Sequence, residues 1–457
     1  MGYFVVSRDL FYLHRDGKAG ENIERMTSKT SQFEWFDEAR FGLFIHWGAY
    51  SVLGRGEQVL FRERLNQREY ETIADRFNPK KYEPNEWARA AADAGMKYAV
   101  LTAKHHDGFC LFDSALTEYN SVRTAAGRDL LGEYVRAFRD HGLRVGIYYS
   151  LADWRFSAYF DGPGKDARAF DTFLKYVHGQ VRELCTNYGH IDLLWFDGGW
   201  PHDAAVWQAE KLDRMIRRHQ PHVMINDRLH GGGGGNVKPV GRASLRTRGY
   251  FDTAEQRPAG EQAVRRPIET VRTSQDSWWG YSKGDKNWKS ARETIDLLSG
   301  AAGNGANLLF NVGPKSDGTF PAPFHRILKE TGRWLRANGE AIYGSSAGTL
   351  DVRTLGRTTI KKSSLYLHVL YWPGREAILY GLMNRVRSAR ILGTGQRVKV
   401  RQEGLHVRLL DLPAKAPDPA CTVIRLNLDG PPKEDPAVVH LWEQGRKLGS
   451  LSRWAGE

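Results

Sequence analysis

Short apolar runs that end in polar residues recur through the first three quarters of this 457-residue chain. The runs are KYAVLTAKHHDGF (97–109), LRVGIYYSLADW (143–154), IDLLWFDGGW (191–200), HVMINDRLH (222–230) and NLLFNVGP (307–314). Near-continuous apolar runs of this length are typical of parallel strands that are buried on both faces of a sheet.

Helical patterns lie between these runs. Asp129 can cap one helix, and Ser290 with Glu293 forms a capping box before another. Apolar positions at helical spacing are Leu131, Val135 and Phe138; Leu174, Val177, Val181 and Leu184; and Ile295 and Leu298. Strands that alternate with helices predict a parallel sheet covered by helices.

Two parallel architectures fit this alternation. A doubly wound nucleotide-binding sheet requires a glycine-rich phosphate turn, but HGGGGGN (230–236) lacks the GxGxxG or GxxxxGK spacing. A barrel instead places functional side chains at the C-terminal ends of several strands, and His105, His106, Asp197 and Arg228 follow apolar runs in this way. We therefore predict an α/β fold with a (β/α)8-like, TIM-type barrel.

The pattern changes near residue 346 to short strands of alternating polarity. In SSLYLHVLYW (363–372), Leu365, Leu367, Val369 and Tyr371 are predicted to share one face of a strand. Similar segments follow at short intervals, as in an antiparallel β-sandwich. The predicted organisation is an N-terminal extension at 1–30, a catalytic (β/α)8-like barrel at 31–345 and a C-terminal β-sandwich at 346–457.

The formal net charge of +13 raises the hypothesis of a nucleic-acid partner. Lysines and arginines are scattered, however, and the densest basic stretch, GRASLRTRG (241–249), is short. Solvated surface charge is the favoured interpretation, and we expect no nucleic-acid partner. The cysteines, Cys110, Cys185 and Cys421, have neither zinc-site spacing nor the even number of a disulfide framework.

No apolar run is long enough to span a bilayer, and the N-terminal apolar stretch is too short and interrupted for a signal peptide. We therefore expect a cytoplasmic protein without a membrane partner. A start at Met26, or a signal missing from this version of the chain, would leave a periplasmic or secreted location open. The oligomeric state is open too, a homo-oligomer included.

The stretch DLLWFDGGW (192–200) brings a carboxylate to the end of an apolar strand. Trp195 and Trp200 flank Asp197, while Gly198 and Gly199 leave the space around it unobstructed. The strand could present Asp197 into an aromatic-walled cleft, or Asp197 could cap a nearby helix. Its position alone does not separate these two interpretations.

Glycoside hydrolysis requires two carboxylates, one that attacks or stabilises and one that transfers a proton. Glu57, Glu255 and Glu269 lie near predicted strand or loop ends, and each could equally be a surface acid. The sequence therefore offers three candidates for a second carboxylate beside Asp197.

Histidines also gather at predicted strand ends, at His46, His105 and His106. Adjacent strand residues point to opposite faces, so His105 and His106 are not expected to bind one metal, and no metal is predicted. They could be satisfied structural histidines. Together with Arg228, the aromatic residues and the carboxylates, they suggest a pocket for a polyhydroxylated ligand.

Eight ordered stretches between about residues 35 and 343 carry a family resemblance. They are WFDEARFGLFIHWGAYSV, MKYAVLTAKHHDGFCLFDS, LRVGIYYSLADW, LLWFDGGW, INDR, TAEQ, DSWWGY and NLLFNVGPKSDGTFP. In this series the chain resembles glycoside hydrolase family 29, the α-L-fucosidases. Weaker similarity continues through the predicted β-sandwich.

The resemblance implies a retaining double displacement with Asp197 as nucleophile and Glu255 as acid/base, and Glu269 as the second choice for the latter role. The sugar-binding positions that it implies are His46, Glu57, His105, His106, Tyr148, Trp195, Arg228 and Trp279. Many family members have Trp where this chain has Gln58, which leaves one pocket wall and the leaving-group preference open.

The implied function is exo-acting hydrolysis of terminal α-L-fucosyl residues from oligosaccharides or glycoconjugates through a covalent fucosyl-enzyme. No cofactor is expected, because two carboxylates about 5–5.5 Å apart suffice for retention. Phe44 and Trp279 are candidates to contact the fucose methyl group.

Two alternatives stay open at this point. One is a related enzyme that acts on α-L-galactosides or transfers fucose to acceptors. The other is a catalytically silent carbohydrate-binding protein, against which the presence of both Asp197 and Glu255 argues.

Overall fold

The computed structural model describes residues 33–231, 249–256, 267–348, 350, 352 and 354–435. The extension predicted at 1–30 and most of the glycine-rich and basic stretches lie outside these residues. The parallel strands are β1 (Phe41–Ile45), β2 (Tyr98–Lys104), β3 (Arg144–Ser150), β4 (Leu193–Asp197), β5 (Met224–Ile225), β6 (Asp252–Glu255), β7 (Ile268–Thr273) and β8 (Asn307–Val312).

The helices of the same region lie mainly between these strands. They are α1 (Glu34–Ala39), α2 (Val59–Arg62), α3 (Gln67–Glu71), α4 (Pro84–Asp93), α5 (Leu130–Asp140), α6 (Ser157–Asp161), α7 (Ala167–Asn187), α8 (Ala209–His219), α9 (Ala291–Gly303) and α10 (Ala322–Asn338). Short 3₁₀ helices lie at Ala49–Val52, Thr72–Arg76, Asp227–His230 and Gly339–Ala341.

The parallel strands form one sheet that closes on itself. Their order is β5-β4-β3-β2-β1-β8-β7-β6. The first parallel strand along the chain, β1, therefore pairs with the last, β8. A parallel bridge between Asn226 and Phe251 joins the two open edges, next to β5 and β6. The predicted (β/α)8-like barrel is therefore confirmed.

The predicted helix starts are confirmed at two capping sites. The Asp129 side chain accepts a hydrogen bond from the backbone N–H of Gly132 at 2.8 Å and begins α5. Ser290 and Glu293 form the reciprocal capping box of α9. The apolar positions of α7 predicted from helical spacing are buried, which directs that helix face toward the sheet.

Two strands are shorter than their apolar runs suggest. β5 contains only Met224 and Ile225, because the chain then enters the 3₁₀ helix Asp227–His230. β2 ends at Lys104, so His105 and His106 are no longer subject to the alternation of a strand. The expectation that their side chains point to opposite faces is wrong, since both line the same pocket.

The C-terminal region is an eight-stranded antiparallel sheet around its own apolar core. Its strands are β9 (Ser346–Ala347), β10 (Gly356–Lys361), β11 (Ser364–Val369), β12 (Ala377–Tyr380), β13 (Val386–Ile391), β14 (Arg397–Glu403), β15 (His406–Leu410) and β16 (Thr422–Leu428). Buried side chains of β12 and β15 meet those of β16 and β11 in one cluster, as in a sandwich.

The alternation predicted for β11 is confirmed at three of its four positions. Leu365, Leu367 and Val369 are buried in the core of the antiparallel domain. Tyr371 does not join them: β11 ends at Val369, and the Tyr371 side chain is 63% exposed. The prediction for Tyr371 was wrong because it extended the alternation of the strand beyond the residue at which the strand ends.

The barrel and the antiparallel sheet are in direct contact through α9 and α10. Trp334 of α10 is buried, and its Nε1–H donates to the backbone oxygen of Cys421 at 2.7 Å. Arg292 of α9 donates to the backbone oxygens of Leu370 at 2.9 Å and Pro419 at 2.5 Å. The two layers therefore share both apolar and polar contacts. We keep 345/346 as the proposed domain boundary.

Among the described residues, no helix combines the length and the apolar character needed to cross a membrane.

Replacing Trp334 with Phe tests the contact between the barrel and the antiparallel sheet. The change leaves the Cys421 carbonyl buried without its donor, which we expect to lower the free energy of unfolding by about 1–3 kcal/mol. Urea unfolding followed by intrinsic fluorescence and by circular dichroism measures the effect. Arg333→Ala, on the exposed face of the same helix, is the matched control. Equal unfolding midpoints for the two variants would contradict this role of Trp334.

Candidate active site

The C-terminal ends of the parallel strands surround one pocket. Its lining combines aromatic, imidazole, guanidinium and carboxylate groups from strand ends and the segments that follow them. The lining residues are Phe44, His46, Gln58, His105, His106, Tyr148, Trp195, Asp197, Trp200, Arg228, Glu255 and Trp279. This is the end of a barrel at which ligands bind.

Asp197 is the last residue of β4 and lies buried at the bottom of this pocket. Its Oδ1 accepts from Arg228 Nη1 at 2.7 Å, and its Oδ2 accepts from the Tyr148 hydroxyl at 2.9 Å. His106 Nε2 is 3.8 Å from Oδ2. Burial raises the pKa of the Asp197 carboxyl, but the charge of Arg228 and the contacts with His106 and Tyr148 outweigh it, so the pKa is lowered.

The glycine after Asp197 is required by the backbone. Gly198 has φ of 73°, in the left-handed region that L side chains rarely adopt. A Cβ at this position would lie 2.6 Å from Ser150 Oγ and 2.7 Å from Ala152 N. Gly198 therefore allows the chain to turn sharply at the strand end. The Asp197 carboxylate lines the pocket and accepts from Arg228 and Tyr148, which favours the pocket interpretation over helix capping.

Arg228 connects the two carboxylates of the pocket. It lies in the 3₁₀ helix that follows β5, and its three guanidinium nitrogens are all used. Nη1 binds Asp197, Nη2 binds Glu255 Oε1, and Nε donates to Thr253 Oγ1 at 3.0 Å. The guanidinium also lies over the Trp195 ring at 4.6 Å. One cation thus holds Asp197 and Glu255 at the same side of the pocket.

Glu255 is the last residue of β6 and differs from Asp197 in its exposure. Its side chain is 41% exposed, against 11% for Asp197. Asp197 is therefore largely shielded from solvent, whereas Glu255 is accessible to it.

The histidines of the pocket are neutral donors and acceptors. Burial lowers the pKa of His46 to about 3 and that of His106 to about 4. Asn311 Nδ2 donates to the Trp279 carbonyl at 2.7 Å, so Asn311 Oδ1 accepts from His46 Nδ1 at 2.7 Å. This network leaves His46 Nε2 as an acceptor.

His105 differs from the other two rings. It stacks on Tyr148 at 5.7 Å and lies 4.0 Å from the His106 ring. Its Nδ1 is buried and has no hydrogen-bond partner in the described part of the chain. A buried polar atom of this kind is costly unless a ligand hydroxyl or water satisfies it.

Aromatic rings form the apolar part of the pocket. Trp195 stacks on Tyr148 at 5.5 Å, and Phe44 packs against Trp195 at 5.1 Å. Trp279 lies against His46 at 5.3 Å and near Phe44 at 6.3 Å. The edge between Phe44 and Trp279 offers an apolar surface beside polar groups.

Two of the carboxylates suggested by the sequence do not line the pocket. Glu57 is buried, and its Oε2 accepts from the backbone N–H groups of Trp279 at 3.0 Å and Gly280 at 2.8 Å. Glu57 therefore holds the segment that carries Trp279, while its neighbour Gln58 lines the pocket.

Glu269 lies in the barrel interior, near the start of β7. It accepts from the Tyr98 hydroxyl at 2.6 Å and from Trp195 Nε1 at 2.9 Å. Burial raises its pKa to about 7 despite these two donors. Glu269 thus holds the Trp195 ring by a hydrogen bond and does not itself line the pocket.

The structure brings together nine of the eleven site residues suggested by the sequence. Those that line the pocket are Asp197, Glu255, His46, His105, His106, Tyr148, Trp195, Arg228 and Trp279. Sequence reasoning missed Asn311, which orients His46, and Ser150, whose hydroxyl meets His106 Nδ1 at 2.6 Å. Both are polar residues at the ends of predicted apolar strands, so that signal was present.

No group of three or more metal-ligating side chains occurs among the residues that the structure describes. The Nδ1 atoms of His46 and His106 are engaged in hydrogen bonds to Asn311 and Ser150.

Solved structures of similar fold include α-L-fucosidases. Isoenzyme 1 from Paenibacillus thiaminolyticus is 40% identical and superposes with a TM-score of 0.81, over 88% of this chain and 100% of its own. A Bacteroides thetaiotaomicron α-L-fucosidase, a trapped covalent intermediate in complex with 2-fluoro-fucosyl fluoride, is 29% identical with a TM-score of 0.79, over 87% and 96% of the two chains.

Sequence comparison agrees with the structures. Rat tissue α-L-fucosidase is 30% identical over 411 residues, which are 84% of this chain and 86% of the relative. The family model described as alpha-L-fucosidase matches residues 14–340, which include every residue of the pocket. This chain is a glycoside hydrolase and belongs to the α-L-fucosidase family.

Proposed function

We propose that this protein is a retaining exo-α-L-fucosidase that removes terminal α-L-fucosyl residues from oligosaccharides or glycoconjugates. The observation that carries the proposal is the pair Asp197 and Glu255, held by one guanidinium in a pocket at the C-terminal ends of the barrel strands. The trapped covalent intermediate of the Bacteroides relative supports the retaining course.

Asp197 is the proposed nucleophile. Its lowered pKa keeps it ionised near neutral pH, as an attacking carboxylate requires. It would attack the anomeric carbon while the bond to the leaving oxygen breaks, forming a covalent fucosyl-enzyme. The nearby Arg228 and Tyr148 would stabilise the carboxylate again when it departs.

Glu255 is the proposed acid/base. It would give its proton to the leaving oxygen in the first step and take a proton from the attacking water in the second. Its exposure supports this role, because a proton donor for the leaving group must reach the pocket mouth. Glu269, the second choice from the sequence, does not line the pocket and is hydrogen-bonded to Trp195, which does. We expect Asp197 and Glu255 to lie about 5–5.5 Å apart in a ligand-bound state.

Binding of fucose is assigned to the remaining pocket groups. The neutral rings of His46, His105 and His106 suit the donor and acceptor character of sugar hydroxyls, and His105 Nδ1 has an unused hydrogen-bonding position. The C6 methyl group suits the apolar edge between Phe44 and Trp279. That apolar edge favours L-fucose over L-galactose, because the C6 hydroxyl group of L-galactose would need a hydrogen-bond partner there. Glu57 would act indirectly, by holding the segment that carries Trp279.

Asp197→Ala tests the nucleophile. Without the attacking carboxylate, we expect turnover of 4-nitrophenyl α-L-fucoside to fall by more than about a thousandfold. Azide can occupy the vacated space and attack the same face, so its addition should restore nitrophenol release and give β-L-fucosyl azide. Product configuration by nuclear magnetic resonance is the measurement. Full activity of the folded variant would rule out Asp197 as the nucleophile.

Glu255→Ala tests the acid/base with a different signature. A nitrophenolate leaves without protonation, whereas a sugar leaving group needs a proton. We therefore expect the loss in kcat/KM to be at least about a hundredfold larger for a fucosyl disaccharide than for the nitrophenyl fucoside. Azide should now trap the covalent intermediate and give α-L-fucosyl azide. Glu269→Gln is the control, and a leaving-group dependence in that variant instead would transfer the role to Glu269.

The buried Glu269 also predicts a pH dependence of stability. Its folded pKa of about 7 lies above the ordinary value of 4.5, so the folded state holds this proton more tightly and stability falls as pH rises through that interval. The loss is on the order of 3 kcal/mol. The melting temperature of Glu269→Gln minus that of the wild type should therefore increase from pH 5 to pH 8. A constant difference between the two proteins over this range would contradict the prediction.

A further inference from the structure

An open groove lies beside the catalytic pocket, and none of the residues given a role in the proposed reaction lines it. Its walls are formed by Phe61 and Arg62 of α2, Arg64 and Leu65 of the following turn, and Trp154 and Phe160 beyond β3. We call it the aromatic groove. Phe61 and Phe160 are 58% and 51% exposed, which is unusual for large apolar rings.

The aromatic groove lies next to the catalytic pocket, because Trp154 of the groove contacts His106 of the pocket. The Trp154 ring lies 5.4 Å from the Phe61 ring on one side and 5.3 Å from the His106 ring on the other. The Trp154 backbone N–H also donates to the His106 carbonyl at 2.8 Å. Since His106 lies 3.8 Å from Asp197, a ligand that leaves the pocket on this side would pass over Trp154 into the groove.

The groove is cationic as well as aromatic. Arg62 and Arg64 are both exposed, and no Asp or Glu is among the described residues that line the groove. Glu63, between them in the chain, is already paired with Arg55 through both carboxylate oxygens at 2.7 and 2.8 Å. Two guanidinium groups at this rim therefore remain available for an anion.

One further contact holds Arg62, and Arg64 has an unusual backbone conformation. Arg62 Nε donates to Gln58 Oε1 at 3.2 Å, and Gln58 lines the catalytic pocket. Arg64 has φ of 51°, a left-handed conformation that costs free energy for a residue other than glycine. Arg62 is thereby linked to the pocket mouth, at the position where the resemblance left the leaving-group preference open.

We propose that the aromatic groove is a leaving-group subsite that selects α-L-fucosides whose aglycone carries a carboxylate, as an acidic sugar does. The ring of the aglycone would pack on Phe61 and Trp154, and its carboxylate would pair with Arg62 and Arg64. This inference rests on the proposed fucosidase function, because it concerns the group to which fucose is attached.

A pair of aryl fucosides tests the proposal. The probes are 4-(carboxymethyl)phenyl and 4-(carbamoylmethyl)phenyl α-L-fucoside, in which a methylene group insulates the phenol oxygen from the substituent. Leaving-group reactivity is therefore nearly equal, and the charge is the main difference. Release of fucose gives kcat/KM for both probes at low and high salt.

We expect the wild type to prefer the carboxylate probe by about fivefold at low salt, the size of one partly exposed ion pair. The preference should shrink at high salt. In Arg62→Gln/Arg64→Gln the ratio between the two probes should approach one. Arg68→Gln, an exposed arginine of the neighbouring α3 outside the groove, should keep the wild-type ratio.

The outcomes separate this inference from the function on which it rests. Hydrolysis of both probes at equal rates, or a preference that survives in the double variant, would overturn the acidic-aglycone subsite and leave the fucosidase proposal intact. Hydrolysis of neither probe, nor of the nitrophenyl fucoside, by folded protein would overturn both.

Discussion

A single buried cation organises the catalytic end of this barrel. Arg228 binds Asp197 and Glu255 with its two terminal nitrogens and Thr253 with the third. Burial by itself raises the pKa of the Asp197 carboxyl, and the Arg228 charge is the largest of the contributions that lower it. The Arg228 guanidinium in turn rests on the Trp195 ring, so the aromatic frame of the pocket and its electrostatics depend on one another.

The carboxylates of this region fall into two groups, those that line the pocket and those that hold its aromatic residues in place. Asp197 and Glu255 line the pocket, whereas Glu57 and Glu269 lie behind it and hold the backbone of Trp279 and the indole of Trp195. The rings that line the pocket are therefore fixed from behind by hydrogen bonds, which limits their freedom before a ligand binds. An acidic residue near the site is thus not by itself a catalytic candidate.

Prediction from the sequence succeeded where the signal was local. The apolar runs and capping residues identified the barrel. The prediction that Asp197 lies at the end of a strand, next to a glycine turn, is also confirmed, since β4 ends at Asp197 and Gly198 turns the chain. Prediction failed where an element ends earlier than its pattern. Tyr371 lies beyond β11, and His105 lies beyond β2, because hydrogen bonding to neighbouring strands decides where a strand stops.

The sequence by itself determined the architecture and the family, because periodicity and ordered motifs are properties of the chain alone. It also supplied Asp197 and three candidate partners for it. Only the tertiary structure showed which of them line the pocket: Glu255 does, where it binds Arg228, whereas Glu269 is hydrogen-bonded to Trp195 in the barrel interior. The physical reason is that burial, charge and distance arise from residues far apart in sequence, which meet only when the barrel closes.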